Sequence, residues 1–412
     1  MKKLIGNAVV GQSGGPTAAI NATLAGVIRG VLENVHDGSI KTLYGMRNGV
    51  EGLLEERLVN LNEVFDSEHK IELLENTPAA ALGSCRKKLP DPAKDTEVFE
   101  KLLSIFKKYD IRYFFYIGGN DSMDTVAKLS AYTKDHDYEM RVLGIPKTID
   151  NDLVVTDHTP GFGSAAKYIA TTMLEIIRDC AVYTTKAVTI VEIMGRDAGW
   201  LTASAALGRA ACGVAPDLVY LPERDFDMQT FFNDVRKALE IHPNVVVAVS
   251  EGIRFADGTY VGEGTQSGAT DVFGHKYLSG TGKALEIAIK NELGCKVRSV
   301  ELNISQRCAA HIASLTDISE SVNVGRAAVR AASEGVTRQM MTIVRTSDSP
   351  YTTTVGHSDV SEIANKIKTV PDEFINEQGN DVTDACLAYL LPLIEGQTTV
   401  EFISGLPAHF II

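Results

Sequence analysis

Two short segments hold most of the residues in this chain that could do chemistry: Gly118-Gly119-Asn120-Asp121-Ser122 and Pro146-Lys147-Thr148-Ile149-Asp150-Asn151-Asp152. The first is a tight glycine turn closing an apolar run, Tyr113 to Ile117, and the second is a carboxylate-rich loop following another, Arg141 to Ile145. A glycine turn at a strand end aims backbone N–H groups at an anion. Asp150 and Asp152 stand two residues apart and point in similar directions if the backbone is extended. Such a pair is costly unless one carboxylate binds a metal and the other takes a proton. Lys147 beside them offers a positive charge to a bridging group. Cradle, cation, base and metal ligands together are the parts of a phosphoryl-transfer site, where catalysis is mostly positioning and charge neutralisation. Taken singly, each piece has a plainer reading: a glycine turn, an Asx-rich turn, a solvated lysine.

Other segments fit the same chemistry less specifically. Gly14-Gly15 follows the apolar run Leu4 to Val10 and precedes a helical pattern, the layout of a second anion cradle. Arg86, Lys87 and Lys88 form a basic cluster before Leu89-Pro90. Arg196, Arg298 and Arg307 are spaced singly near strand ends or small residues, and arginine forks suit phosphate bidentately. An acidic residue inside a phosphate cradle, as Asp121 would be, is unfavourable unless a cation bridges it or it serves to exclude something. Gly280-Thr281-Gly282-Lys283 is not a P-loop: Tyr277 stands where the first glycine belongs and Ala284 where Ser or Thr belongs, so helix capping by Ser279 or Thr281 is the expectation. His275 and His311 read as structural.

Short apolar runs alternate with amphipathic helical patterns, as an element set holding these loops requires. Strands are expected at Leu4–Val10, Tyr113–Ile117, Arg141–Ile145, Val188–Ile193, Leu218–Leu221 and Val245–Ser250, with helices at Thr17–Glu33 and Met228–Leu239 among others. The alternation implies parallel sheets with right-handed crossovers, whose sites lie at the carboxyl ends of strands. Met194-Gly195-Arg196-Asp197 and Glu251-Gly252-Ile253-Arg254 fall at such ends too. The stretch 257–274 reads as a loop, and the last 60 or so residues carry weaker patterns.

The 412 residues suffice for two or three domains, and 44% hydrophobic with 23% charged residues is ordinary for a globular protein. A formal net charge of −13 argues against nucleic acid and against an anionic membrane surface as partners, so an anionic substrate needs a locally basic pocket. The six cysteines form no CxxC pair, which disfavours a zinc knuckle and fits a reducing compartment. The start of the chain reads as a strand rather than a signal peptide. No apolar run approaches membrane-spanning length. A cytoplasmic location is expected.

In this order, Ser13-Gly14-Gly15, Gly118 to Ser122, Pro146 to Asp152, Met194-Gly195-Arg196, Glu251-Gly252, and Arg298 with Gln306-Arg307 resemble the motifs of the phosphofructokinase family over residues 4 to about 340. The resemblance implies an α/β fold of two doubly wound domains with mostly parallel sheets, plus a C-terminal add-on. Its implied division is residues 1–160 with about 306–370 for the phosphoryl donor, 161–305 for the sugar phosphate, and about 371–412 as an extension. It also implies Mg²⁺ as cofactor and a homo-oligomer with shared active sites. On this resemblance Asp150 is the base that takes the proton of the sugar 1-hydroxyl, with Thr148 and Ile149 beside it and Lys147 and Asp121 in the catalytic set. Asp152 and Asn120 would meet the metal, and Gly14, Gly15, Arg86, Gly119 and Ser122 the donor. Met194, Gly195, Arg196, Glu251, Ile304 and Arg307 would hold fructose 6-phosphate, with Arg298 reaching in from a neighbouring subunit.

Two positions bear on the donor. ATP-using bacterial members of the family typically carry glycine where this chain has Asp121 and Lys147, and pyrophosphate-using members carry aspartate and lysine. A carboxylate at Asp121 would repel and occupy the place of a nucleotide's α-phosphate. The resemblance is therefore to the pyrophosphate-dependent branch, acting in glycolysis or gluconeogenesis. An ATP-dependent enzyme and a non-catalytic regulatory subunit of the same fold are the alternatives. Asn120 stands where an aspartate is usual in the family, and Ile304 where an aromatic residue or histidine is usual.

Overall fold

The computed structural model describes residues 3–263, 280–363 and 366–412. Its strands are β1 (Gly6–Gln12), β2 (Ile40–Met46), β3 (Leu58–Asn60), β4 (Ile111–Gly118), β5 (Arg141–Pro146), β6 (Ala187–Ile193), β7 (Leu218–Tyr220), β8 (Asn244–Ser250), β9 (Lys296–Glu301), β10 (Gln339–Asp348) and β11 (Tyr351–Asp359). They form a seven-stranded sheet in the order β11-β10-β5-β4-β1-β2-β3 and a four-stranded sheet in the order β7-β8-β6-β9, with a small two-stranded hairpin near the C-terminus. In the larger sheet β2, β1, β4, β5 and β10 run parallel, and β3 and β11 are antiparallel edges. The smaller sheet is parallel throughout.

Covering both faces explains the near-continuous apolar runs of the central strands, such as Tyr113, Phe114, Phe115, Tyr116 and Ile117 in β4, all buried. One face of the larger sheet packs on the helices Ile20–Leu32 and Leu315–Ser333, and the other on Glu97–Lys108 and Asn120–Asp135. The first two helices approach backbone to backbone: a Cβ on Gly26 would overlap the Val322 carbonyl, and one on Gly325 the Thr23 carbonyl. The smaller sheet is covered on one side by the helices Met228–Ile241 and Thr281–Leu293 and on the other by Phe162–Cys180.

That last layer also contains Val370, Ile375, Val382, Cys386, Leu387, Leu390 and Leu393. The segment expected as an add-on thus supplies core side chains to the second sheet. Its end returns to the first sheet, where Phe410 packs on Phe65 with ring centroids 4.9 Å apart and the planes tilted by 37°. No described helix is long and apolar enough to cross a membrane.

Strand order fixes where a cleft can form. The chain leaves β1 toward β2 and returns to β4 on the other side, so the crevice at the carboxyl ends of β1 and β4 is a topological switch point. In the second sheet β8 and β9 flank β6 in the same way. The loops after β1, β4, β5, β6, β8 and β9 all contribute to one cleft between the two sheets.

Candidate active site

The cleft has a volume of ≈ 570 Å³. At its first-sheet end the chain turns sharply after β1. Gly14 adopts φ +77, a left-handed conformation that favours glycine, and a Cβ there would come within 3.2 Å of the Lys147 Nζ. Gly14 N donates to Cys85 O at 3.1 Å and Gly14 O accepts from Ser84 Oγ at 2.6 Å, so the Gly14 turn and the Arg86 segment are tied together. After β4, Gly119 caps the helix Asn120–Asp135, and a side chain at Gly118 would collide with Ser122. Residues 119–122 line the cleft, so the helix presents its N-terminus to it, with the partial positive charge of that end of the helix dipole. Asp121 lies in that first turn and pairs with Lys88 at 2.9 Å. Asn120 Nδ2 donates to Lys366 O at 2.8 Å.

The loop after β5 forms the floor. Lys147 is buried, and its Nζ donates to Gly15 O at 2.7 Å, directing the ammonium at the donor turn. Burial lowers its pKa to about 8, against the pull of Asp150 and Asp152 in the other direction. Asp150 N donates to Thr148 Oγ1 at 3.1 Å, and that hydroxyl stands 3.4 Å from Asp150 Oδ2, which fixes the carboxylate's approach. Burial raises the pKa of Asp150, and burial together with the Asp150 charge pushes Asp152 up to about 7. Lys147 and Arg196 at Asp150, and Lys368 and Lys147 at Asp152, oppose that rise without overcoming it. Among the described residues no three His, Cys, Asp or Glu side chains converge as a ready-made ion cage. The donor set suits a hard cation that takes one or two carboxylates and completes its shell from phosphate oxygens and water, the habit of Mg²⁺.

The second-sheet end is built from three loops locked to one another. Met194 N donates to the Gln306 side chain at 3.1 Å, and Gly195 N to Glu251 Oε1 at 3.2 Å. Arg196 and Arg254 hold Asp197 between them, at 2.9 and 2.6 Å. Burial works against the charge on Asp197, and the two guanidinium bonds overcome it, holding the carboxyl below its ordinary range. Glu251 is pushed up to about 8 by burial. Arg307 reaches over to the Gly15 turn, its Nη1 3.4 Å from where a Cβ on that glycine would lie. Ile304 sits on the rim, 56% exposed.

Of the residues singled out in the sequence, Gly14, Gly15, Arg86, Gly119 to Ser122, Lys147 to Asp150, Asp152, Met194, Arg196, Glu251, Ile304 and Arg307 all line this cleft. Gly195 and Arg298 do not: Gly195 is turned into the loop, its N–H donating to Glu251, and Arg298 lies on β9, the edge of the second sheet, beside Asp179, Cys180 and Thr189. The 280–283 segment is a helix start, as expected, but Thr281 does not cap it. Gly280 is the N-cap, Thr281 Oγ1 donates to Glu251 O at 3.0 Å, and the buried Glu192 carboxylate accepts from Gly282 N at 2.7 Å. Ser279, His275 and most of the 257–274 loop lie outside the described residues. Sequence reasoning missed Glu192, Glu301 and Asn303 on the cleft wall, which carried no motif signal. It also missed His158, buried between Asp157 at 2.8 Å and Glu320 at 2.6 Å.

A cleft at the carboxyl ends of two doubly wound sheets, lined by two glycine turns, a lysine, paired carboxylates and arginines from both sides, defines an α/β phosphotransferase. The chain belongs to the phosphofructokinase family, whose model, described as Phosphofructokinase, matches residues 7–332. It is 42% identical over 403 residues to a pyrophosphate–fructose 6-phosphate 1-phosphotransferase of Halomonas elongata, covering 97% of this chain and 94% of that one. It is 41% identical over 406 residues to the enzyme of the same name from Methylococcus capsulatus, with 98% and 95% covered. The crystal structure of a pyrophosphate-dependent phosphofructokinase from Nitrosospira multiformis is similar with a TM-score of 0.88 and 38% identity, covering 98% of this chain and 96% of that one.

Proposed function

We propose that this chain transfers a phosphoryl group from pyrophosphate to the 1-hydroxyl of fructose 6-phosphate, giving fructose 1,6-bisphosphate and phosphate, and that it also runs the reverse reaction. The observation that carries this reading is the convergence of Asp121, Lys147 and the Asp150–Asp152 pair on one cleft. The relatives named above bear the same activity in their names.

In this reading pyrophosphate lies at the first-sheet end, against the Gly14–Gly15 turn, the helix start at Gly119 and Arg86. Lys147 meets the transferring group as a counter-charge already placed by its bond to Gly15 O. The sugar lies along the second-sheet loops, its ring against Met194, Gly195, Arg196 and Glu251 and its 6-phosphate against Arg307, whose guanidinium reaches the Gly15 turn. Asp150, oriented by Thr148, takes the proton from the 1-hydroxyl as the oxygen attacks phosphorus; the bond to the bridging oxygen breaks and phosphate departs. A base whose pKa is raised toward neutrality suits that task and its reversal. Mg²⁺, held through Asp152 and the Asn120 amide oxygen, would neutralise donor oxygens. Residues 1–160 with about 306–370 form the donor half, and 161–305 the sugar half. The enzyme works in the cytoplasm as an oligomer, since Arg298 lies outside its own chain's cleft and is available to a neighbour's.

Incubation with fructose 6-phosphate, MgCl₂ and either pyrophosphate or ATP as sole donor tests this reading. Phosphorus NMR should show orthophosphate and a sugar 1-phosphoester formed in equal amounts from pyrophosphate. Product from ATP alone, with pyrophosphate untouched, would refute it.

A further inference from the structure

We infer that Lys368, outside every motif and outside the cleft, is a positioning residue for the Asp150–Asp152 pair. The inference rests on the reading above that these carboxylates do the chemistry. Asn151 stands between them, fully buried, with φ +53. That left-handed backbone is what turns the chain so that residues on either side both line the cleft. Asparagine tolerates it better than most side chains, but the conformation still needs support from its surroundings.

The support comes from one ammonium and one phenol. Lys368 Nζ donates to Asn151 Oδ1 at 3.1 Å, Asp157 O at 2.7 Å and Thr156 O at 3.3 Å, which uses all three of its donors. On the other side Asn151 Nδ2 donates to Tyr389 Oη at 3.3 Å, and that hydroxyl donates to Asp157 O at 2.7 Å. Both ends of the Asn151 amide are therefore fixed to the stretch that leads away from the carboxylates. The Lys368 backbone completes the clamp, its N–H donating to Asp152 O at 2.8 Å.

The surrounding segment reaches further. Lys366 O accepts from Asn120 at the donor turn, at 2.8 Å. Lys368 O accepts from Trp200 Nε1 at 2.9 Å, at the start of the helix that follows Arg196. Val370 N donates to Glu223 Oε1 at 2.9 Å, and the same oxygen accepts from Gly199 N at 2.8 Å. Residues 366–370 thus bind the donor turn, the carboxylate loop and the sugar side into one frame. The ammonium contributes through Asn151 and touches no cleft wall.

A misplacement of about 1 Å at a reacting group costs on the order of a hundredfold in rate. The test measures steady-state turnover of Lys368→Met and Lys368→Arg, with whichever of pyrophosphate or ATP the unaltered chain uses. Lys368→Met should lose kcat by about a hundredfold, with KM for both substrates within about threefold and an unfolding midpoint within a few degrees of the unaltered chain. Lys368→Arg should recover at least about tenfold of that loss, a recovery that a general weakening of the fold would not give. Should Lys368→Met fail to fold, Tyr389→Phe removes only the hydroxyl on the other side of Asn151 and should lower kcat several-fold at unchanged KM. Full kcat in Lys368→Met or Tyr389→Phe, a loss confined to KM, or an arginine variant no better than methionine would overturn the inference. A wrong donor assignment would show in the unaltered chain, whereas a wrong positioning role shows only in the variants.

Discussion

At the scale of single residues, the proposed mechanism needs charges in the cleft that are incompletely matched until substrates arrive. Lys147 is buried and Asp150 half-buried, and desolvation shifts both toward their neutral forms. A phosphoryl group between them meets a cation and a base with little water to displace. General-base assistance is typically worth about 10²–10⁴-fold. Asp150→Asn should therefore lower turnover by at least about a hundredfold while fructose 6-phosphate still binds. Titration of the sugar phosphate by calorimetry beside the kinetics checks both halves of that claim. These residues were legible in the sequence because each stands in a short motif directly after an apolar strand. Lys368 was not, because its role depends on a contact with Asn151, 217 positions earlier in the chain.

At the scale of elements, legibility followed burial. The central strands β1, β4, β5, β6 and β8 are covered on both faces and read as apolar runs. The edge strand β9 is half-exposed and alternates, as Lys296-Val297-Arg298-Ser299-Val300-Glu301, and gave no clear signal, whereas the edge strand β7 is buried throughout and was legible as an apolar run. The β10–β11 hairpin was hidden for the same reason, its outer half carrying Thr346, Ser347, Thr352 and Thr353. The contact of the helices Ile20–Leu32 and Leu315–Ser333 was invisible to periodicity because its key residues are glycines. Overpacking of a close contact costs about 1–3 kcal/mol. Gly26→Ala should destabilise the chain by at least that amount, since the obstacle is the backbone carbonyl of Val322 rather than a side chain that can swing away. Chemical denaturation measures the loss. The exposed Gly38, with φ +72 and nothing within 4 Å of where a Cβ would lie, is the control for backbone strain without a clash.

At the scale of the whole molecule, the buried carboxylates give the free protein a pH dependence of predictable sign. Glu251 and Glu192 titrate at about 8 and about 7 in the fold because burial disfavours their charge, against an ordinary value of 4.5. His158 is also raised: burial opposes its charge, but the bonds to Asp157 and Glu320 prevail. Groups raised in the folded state contribute stability that is present below their unfolded pKa and lost as pH rises through the folded one. The lowered carboxyls Asp157, Asp197 and Glu320 act only below about pH 4.5. The lowered Lys147 has lost its contribution by about pH 8 and below. Between about pH 5 and 7.5 the substrate-free protein should therefore become less stable as pH rises, by on the order of 1 kcal/mol for each raised group. Glu251→Gln should flatten the trend in urea midpoints, and a rise in stability over that range would contradict it. The proposal that Arg298 serves a neighbour's cleft makes a second prediction at this scale. Asp150→Asn and Arg298→Ala chains, each inactive alone, should regain activity when mixed and reassembled, and a fully active monomer in sedimentation would rule this out. The most direct test of donor choice is the ratio of kcat/KM for pyrophosphate to that for ATP, measured in the unaltered chain and in Asp121→Gly. Like charges about 4 Å apart cost about 4 kcal/mol at an effective dielectric of about 20, which the neighbouring Lys88 reduces. The ratio should lie far above one in the unaltered chain and fall by at least about tenfold in Asp121→Gly, as ATP gains entry and pyrophosphate use declines. A ratio below one in the unaltered chain, or one that Asp121→Gly leaves unmoved, would contradict pyrophosphate as the donor that this cleft selects.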